Sequence, residues 1–175
     1  SELEGSLGVK FRKKNLLVTF HPVTLEKETS LTQMNALLSV LSDLKETGLI
    51  FTMPNSDTGN RAIYDSIETF VSNNDNAYAF ASLGQRRYLS CIAQVDAVVG
   101  NSSSGLAEVP TFKKPTVNIG DRQKGRLQCE SVINCQPRKE EIRLAIEYSH
   151  SPVFRQKILN VVNPYGDGGS AERIV

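Results

Sequence analysis

An apolar segment near the middle of the chain is followed by three serines, Ser102, Ser103 and Ser104, and then by a helical sequence pattern. Residues 96–99 predict a short buried strand, residues 100–101 its turn, and the serines the start of a helix. Helix starts carry unpaired N–H groups and a partial positive charge, so phosphate binds there. Serine is also favoured as a plain helix cap, and this segment alone leaves both interpretations open.

Glu108 follows Ser104 by four positions, a spacing that places two residues on the same face of a helix. A carboxylate there can accept hydrogen bonds from the hydroxyl groups of a sugar beside the phosphate. The GxGxxG fingerprint of dinucleotide-binding domains is absent from the sequence, which disfavours a dehydrogenase.

The composition predicts a soluble globular protein with one domain over residues 1–175, since 39% of the residues are hydrophobic and 22% charged. The net charge of +1 provides no basic field for nucleic acid or a membrane surface, and neither is expected as a partner. Cys91, Cys129 and Cys135 lack CxxC spacing, which argues against a disulfide framework or a zinc site. We therefore expect a reducing, cytoplasmic setting and neither a metal nor a cofactor.

Strand and helix patterns alternate along the chain. The predicted strands cover residues 15–20, 49–53, 77–81, 96–99, 116–119 and 131–134, and the main predicted helices cover residues 31–44, 60–71, 85–93, 137–148 and 152–161. Repeated strand and helix units predict an α/β fold with a doubly wound parallel sheet. Ligands of such sheets bind outside the carboxyl ends of the strands.

Candidate ligand-binding residues follow these predicted strands. They are His21 after the first strand, Asn55 and Asp57 after the second, Ser82 and Leu83 after the third, the serines after the fourth, and Arg122 after the fifth. Each has an ordinary alternative: a core histidine, a turn in residues 54–59, or a solvated cluster of Arg122, Lys124 and Arg126. Because all of them would lie at one sheet edge, together they favour a nucleotide site.

Four ordered segments resemble the carboxyl-terminal domain of UDP-N-acetylglucosamine 2-epimerases, particularly the hydrolysing type that begins sialic acid synthesis. The segments are FHPVT at 20–24, MPNSDTGN at 53–60, GNSSSGLAEVP at 100–110 and VNIGDRQKGR at 117–126, and the final NPYGDGGSAERIV is also similar. Ser103 and Ser104 stand where the non-hydrolysing branch carries glycines, which favours the hydrolysing branch.

The resemblance implies a GT-B architecture, in which two Rossmann-like domains hold a nucleotide sugar between them and this chain is the second domain. The site residues follow from the matching motifs. Ser102, Ser103 and Ser104 would hold the diphosphate, Glu108 the ribose, Arg122 the phosphates, Asn55 the nucleotide sugar, and Ser82 with Leu83 the uracil through backbone groups. Asp57 would shape its loop.

The family reaction eliminates UDP from UDP-N-acetylglucosamine to give a 2-acetamidoglucal, and water then adds to give N-acetylmannosamine. His21 is expected to act as acid, base or charge stabiliser, because its ordinary pKa is close to neutral. The main acid and base carboxylates belong to the amino-terminal domain, which this chain lacks. The expected partners are therefore UDP or UDP-N-acetylglucosamine and that missing domain. Whether the full-length enzyme is a homo-oligomer stays open. The isolated chain is expected to be inactive.

Two other functions fit the same residues. A GT-B glycosyltransferase would use the serines to hold a UDP-sugar donor and would transfer the sugar to an acceptor. A sensor without catalysis would bind the nucleotide sugar and carry a DNA-binding or partner domain.

Overall fold

Six parallel strands form one sheet in the computed structural model of the protein, which describes residues 2–22, 27–54 and 60–166. The strands are β1 (Lys14–Thr19), β2 (Thr47–Thr52), β3 (Ala77–Phe80), β4 (Ala97–Gly100), β5 (Thr116–Ile119) and β6 (Val132–Cys135). Their order across the sheet is β3-β2-β1-β4-β5-β6, and every neighbouring pair is parallel. This confirms the predicted doubly wound sheet. The order reverses between β1 and β4, so the loops after these two strands flank a crevice.

Helices cover both faces of the sheet. They are α1 (Glu2–Leu7), α2 (Lys27–Leu41), α3 (Arg61–Ser72), α4 (Gly84–Gln94), α5 (Ser104–Ala107), α6 (Lys139–Ser149) and α7 (Pro152–Ile158), with a 3-10 helix at Val109–Phe112 after α5. One face packs against α2, α3 and α6, and the other against α1, α4 and the 3-10 helix. The site described below lies on the α4 side of the sheet.

The alternation of side chains along β1 divides the core between these two faces. Leu16 and Val18 belong to the larger apolar cluster, whereas Leu17 belongs to the smaller one together with Val98 of β4. Leu17 and Val98 are also paired in the sheet register, and Leu17 is completely buried. Because side chains alternate in a strand, Thr19 at the end of β1 faces the same side as Leu17 and therefore faces α4.

The sequence patterns predict most element positions and miss two elements. The predicted bounds of the fifth strand are those of β5, whereas α2 begins at Lys27 and ends at Leu41 instead of covering 31–44. The patterns do not predict α1 because this helix has no buried residues and hence no clear apolar stripe. They also miss the 3-10 helix, where Pro110 stands in the first turn and interrupts the regular helical hydrogen bonds.

Candidate functional site

The turn after β4 approaches the end of β1 closely enough to require a glycine. Gly100 has φ of +145°, and a Cβ atom added there would lie 2.0 Å from the carbonyl oxygen of Thr19. The next residue, Asn101, donates its backbone N–H to the same oxygen at 3.2 Å. The two loops that flank the crevice are therefore joined at their bases.

Asn101 holds three loops together at the crevice. Its side chain pairs with the backbone of His21 on both sides: Oδ1 accepts from the His21 N–H at 2.7 Å, and Nδ2 donates to the His21 carbonyl at 2.7 Å. The carbonyl oxygen of Asn101 accepts from Nη1 of Arg122 at 2.9 Å and from Nε2 of Gln123 at 2.7 Å. Asn101 thus fixes the residues that follow β1, β4 and β5 relative to one another.

The serine turn differs from the predicted helix start. The helix α5 begins at Ser104 and has only four residues, Ser103 is its N-cap and Glu108 its C-cap. The helix thus begins within the serines as predicted, but a helix of four residues adds little dipole. Within the described part of the chain, the backbone N–H groups of Ser102 and Ser103 have no hydrogen-bond acceptor. Anion binding here would therefore depend on individual N–H groups and hydroxyls.

The plain helix-cap alternative receives little support from the serine side chains. Ser103 makes no side-chain cap hydrogen bond, and its side chain is exposed. Ser102 accepts only a long hydrogen bond, at 3.4 Å, from the N–H of Ser104. The Glu108 N–H donates to the Ser104 carbonyl at 2.9 Å, so Glu108 does lie one turn beyond Ser104 as the spacing predicts.

Tyr88 of α4 reaches the serine turn, although no sequence pattern predicted it there. Its hydroxyl donates to Oγ of Ser104 at 2.7 Å. Burial raises the pKa of Tyr88, and the nearby carboxylate of Glu108 adds to that rise. The phenol therefore stays protonated at neutral pH and acts as a hydrogen-bond donor.

Arg122 makes the crevice cationic, whereas His21 is neutral. The pKa of His21 is lowered by burial and further by the charge of Arg122, so the imidazole is neutral at pH 7. Arg122 is itself always charged, and no carboxylate pairs with it among the described residues. An unpaired guanidinium beside free N–H groups favours a negatively charged ligand.

The other predicted site residues are less closely joined to the serine turn. Leu83 is buried in the cluster that contains Leu17 and Val98, so only its backbone is available to a ligand. Ser82 is exposed, and its hydroxyl accepts from the N–H of Gly84 at 3.2 Å. Asn55 and Asp57 lie outside the described residues.

The cysteines offer no nucleophile to the site. Burial raises the pKa of Cys91 to about 11 and that of Cys135 to about 12, so both thiols are protonated at neutral pH. Residues 2–22, 27–54 and 60–166 contain no group of three or more His, Cys, Asp or Glu that could hold a metal ion. Across the same ranges, every helix is too short or too polar to span a bilayer.

Three residues at the crevice were not among the predicted site residues: Asn101, Gln123 and Tyr88. Asn101 follows β4 directly, and Gln123 follows the predicted Arg122, so the rule that ligands bind after strand ends could have included both. Tyr88 could not be found in this way, because its position depends on how α4 crosses the sheet.

A parallel sheet of this order with a cationic crevice at its reversal point defines a Rossmann-like domain. The family model described as UDP-N-acetylglucosamine 2-epimerase matches residues 2–175, and the chain belongs to that family. A Campylobacter jejuni protein named GDP/UDP-N,N'-diacetylbacillosamine 2-epimerase (hydrolyzing) is 38% identical over 156 residues, which cover 89% of this chain and 40% of that protein. Polysialic acid biosynthesis protein P7 of Escherichia coli is 38% identical over 165 residues, covering 94% of this chain and 42% of P7.

A solved structure confirms the fold. The S. aureus MnaA-UDP co-structure superposes with a TM-score of 0.74 at 17% identity, and the match covers 99% of this chain and 46% of the MnaA chain. The chain therefore spans less than half the length of each of these relatives.

Proposed function

We propose that this chain is the UDP-binding half of a hydrolysing UDP-N-acetylglucosamine 2-epimerase, forming one domain over residues 1–175. The observation that carries the proposal is the crevice between β1 and β4, where the Arg122 guanidinium binds the carbonyl of Asn101. Asn101 directly precedes Ser102 and Ser103, whose N–H groups have no acceptor among the described residues. The crevice lies where nucleotides bind to doubly wound sheets, and its charge suits a diphosphate. Membership of the epimerase family and the names of the hydrolysing relatives support the same function.

Each part of UDP has a binding group in this proposal. The N–H groups and hydroxyls of Ser102, Ser103 and Ser104 bind the diphosphate, and Arg122 neutralises its charge. Glu108, one turn farther along, accepts from the ribose hydroxyls. The backbone of Ser82 and Leu83 meets the uracil, and Asn55 contacts the nucleotide sugar.

The proposed reaction begins when a base removes the proton at C2 of the sugar and the bond from C1 to the UDP oxygen breaks. The electron pair of that bond leaves with UDP, and a 2-acetamidoglucal remains. Addition of water then places a hydroxyl at C1 and a proton at C2, which gives N-acetylmannosamine. Arg122 and the free N–H groups stabilise the charge that grows on UDP, an interaction that strengthens in the transition state and raises the rate.

His21 enters this reaction as a neutral imidazole, because burial and Arg122 both lower its pKa. It can therefore donate a hydrogen bond to the leaving phosphate or accept a proton, and a fixed positive charge comes from Arg122 instead. We assign the carboxylates that move protons on the sugar to an amino-terminal domain, in keeping with the 40% of the Campylobacter relative that this chain covers.

The test measures whether UDP is released from UDP-N-acetylglucosamine and from UDP-N,N'-diacetylbacillosamine. The second nucleotide sugar appears in the name of the Campylobacter relative. We expect the chain joined to its amino-terminal domain to release UDP together with a free 2-epimerised sugar. The isolated chain should bind UDP weakly and release none.

Three other outcomes would contradict the proposal. Release of UDP by the isolated chain would show that the second domain is unnecessary. A glycosylated acceptor as product would identify a glycosyltransferase. Binding without any turnover by the two-domain protein would identify a sensor.

A further inference from the structure

A hydrogen bond between two side-chain hydroxyls joins α4 to the serine turn. Tyr88 donates to Oγ of Ser104 at 2.7 Å, and Ser104 is the first residue of α5. A second hydroxyl pair joins the ends of β2 and β1, where Thr52 donates to Oγ1 of Thr19 at 3.0 Å.

The number of protons in the Tyr88–Ser104 pair leaves the serine a proton of its own. Each hydroxyl carries one proton and accepts through its lone pairs. Tyr88 gives its proton to Ser104, so the Ser104 proton is not used in this bond and is available to another acceptor.

The environment of Tyr88 favours this direction. The Tyr88 side chain is partly buried, which limits competition from water for its hydrogen bond. Burial raises the pKa of the Tyr88 phenol although the hydrogen bond with Ser104 opposes the rise, so the phenol keeps a proton to donate.

We propose that Tyr88 is a positioning residue that commits the Ser104 hydroxyl to donate to a phosphate oxygen in the crevice. The inference rests on the proposed UDP site. Because the Tyr88 proton occupies one lone pair of Ser104, the serine keeps its own proton for an acceptor such as an anionic phosphate oxygen. Without Tyr88 the serine hydroxyl would rotate freely and lose this preference.

Tyr88 also has a packing role, since its ring lies against the apolar cluster that contains Leu17 and Leu83. Tyr88→Phe keeps the ring and removes only the hydroxyl, so it separates the two roles. Tyr148→Phe is the matched control, because Tyr148 is exposed on α6 in the opposite helix layer.

The experiment measures the dissociation constants of UDP and of uridine by amide chemical shifts for the 175-residue chain, Tyr88→Phe, Ser104→Ala, the double variant and Tyr148→Phe. We expect Tyr88→Phe to weaken UDP binding about fivefold, the effect of one typical hydrogen bond, and to leave uridine binding unchanged. It should have no further effect in the Ser104→Ala background, because the hydroxyl that it positions is then absent. Tyr148→Phe should bind both ligands like the unchanged chain.

Three outcomes would overturn the role of Tyr88: unchanged UDP binding in Tyr88→Phe, equal weakening of UDP and uridine, or additive effects of the two substitutions. Equal weakening would show that the ring packing alone matters. If UDP fails to bind the unchanged chain at the serine turn, the proposed function itself fails, and that result is distinct from the other three.

Discussion

At the scale of single residues, the crevice combines a permanent positive charge with a neutral imidazole. Arg122 lies beside His21 and lowers its pKa, adding to the effect of burial. The fixed loop geometry comes from Asn101, which binds both the His21 backbone and the Arg122 side chain. One buried residue, Asn101, thus holds the His21 backbone through its side chain and the Arg122 guanidinium through its backbone carbonyl, and its exposed fraction is 1%.

The buried environment of the second histidine, His150, indicates how folding stability depends on pH. Its Nδ1 atom lies 2.8 Å from the carbonyl oxygen of Ile146, and its Nε2 atom is buried with no partner among the described residues. Burial lowers its pKa below the ordinary value of 6.5, and Arg155 and Lys14 lower it further while Asp96 opposes them. Below about pH 6.5 the unfolded chain therefore binds more protons than the folded one.

We expect the free energy of unfolding to fall as the pH is lowered from 7.5 to 5.5, with His150 contributing at most about 1.4 kcal/mol per pH unit. Urea unfolding at the two pH values measures the difference. His150→Gln should make this difference smaller. His21→Gln should do the same, because burial also lowers the pKa of His21. An unchanged pH difference in His150→Gln would show that its buried imidazole does not titrate in this range.

At the scale of elements, the close approach of β1 and β4 shapes the base of the crevice. The Thr19 carbonyl occupies the space where any side chain at position 100 would lie. This contact allows the turn after β4 to begin directly beside the end of β1, so the serine turn and His21 share one crevice.

Gly100→Ala should lower the free energy of unfolding by about 3 kcal/mol, because the methyl group would collide with the Thr19 carbonyl and the backbone has φ of +145°. Gly8→Ala is the matched control, since Gly8 also has positive φ and nothing lies within 4 Å of its added Cβ. We expect Gly8→Ala to lower the free energy of unfolding by only about 1 kcal/mol. Equal losses in urea unfolding would show that the approach of the two strands is not tight.

Elements with strong apolar patterns were predictable from the sequence, and elements determined by tertiary contacts were not. The strand β5 follows Pro115 and is buried at every position, so its bounds were predicted as they are observed. In contrast, α5 is only four residues long, and a 3-10 helix with Pro110 in its first turn follows it. The serines, Glu108 and Arg122 were predictable because they follow strand ends, whereas Tyr88 reaches Ser104 only through the packing of α4 on β1.

At the scale of the whole molecule, the strand order explains why residues far apart in sequence meet. The sheet reverses between β1 and β4, so His21 and the serine turn are neighbours, and β5 brings Arg122 beside them. The chain covers 40% of the Campylobacter relative and 46% of the S. aureus chain. We propose that the remainder of such a protein supplies the other wall of the cleft and the carboxylates that act on the sugar.

The central claim is that the crevice between β1 and β4 binds the diphosphate of UDP. The most direct measurement is a titration of UDP into the isotope-labelled chain, followed by amide chemical shifts. We expect saturable shift changes at residues 102–108. These changes should become much smaller in Ser103→Ala, Glu108→Ala and Arg122→Ala. Arg126→Ala should retain them, since Arg126 only adds a nearby charge to Arg122. Absence of shifts at residues 102–108, or equal losses in Arg122→Ala and Arg126→Ala, would contradict the claim.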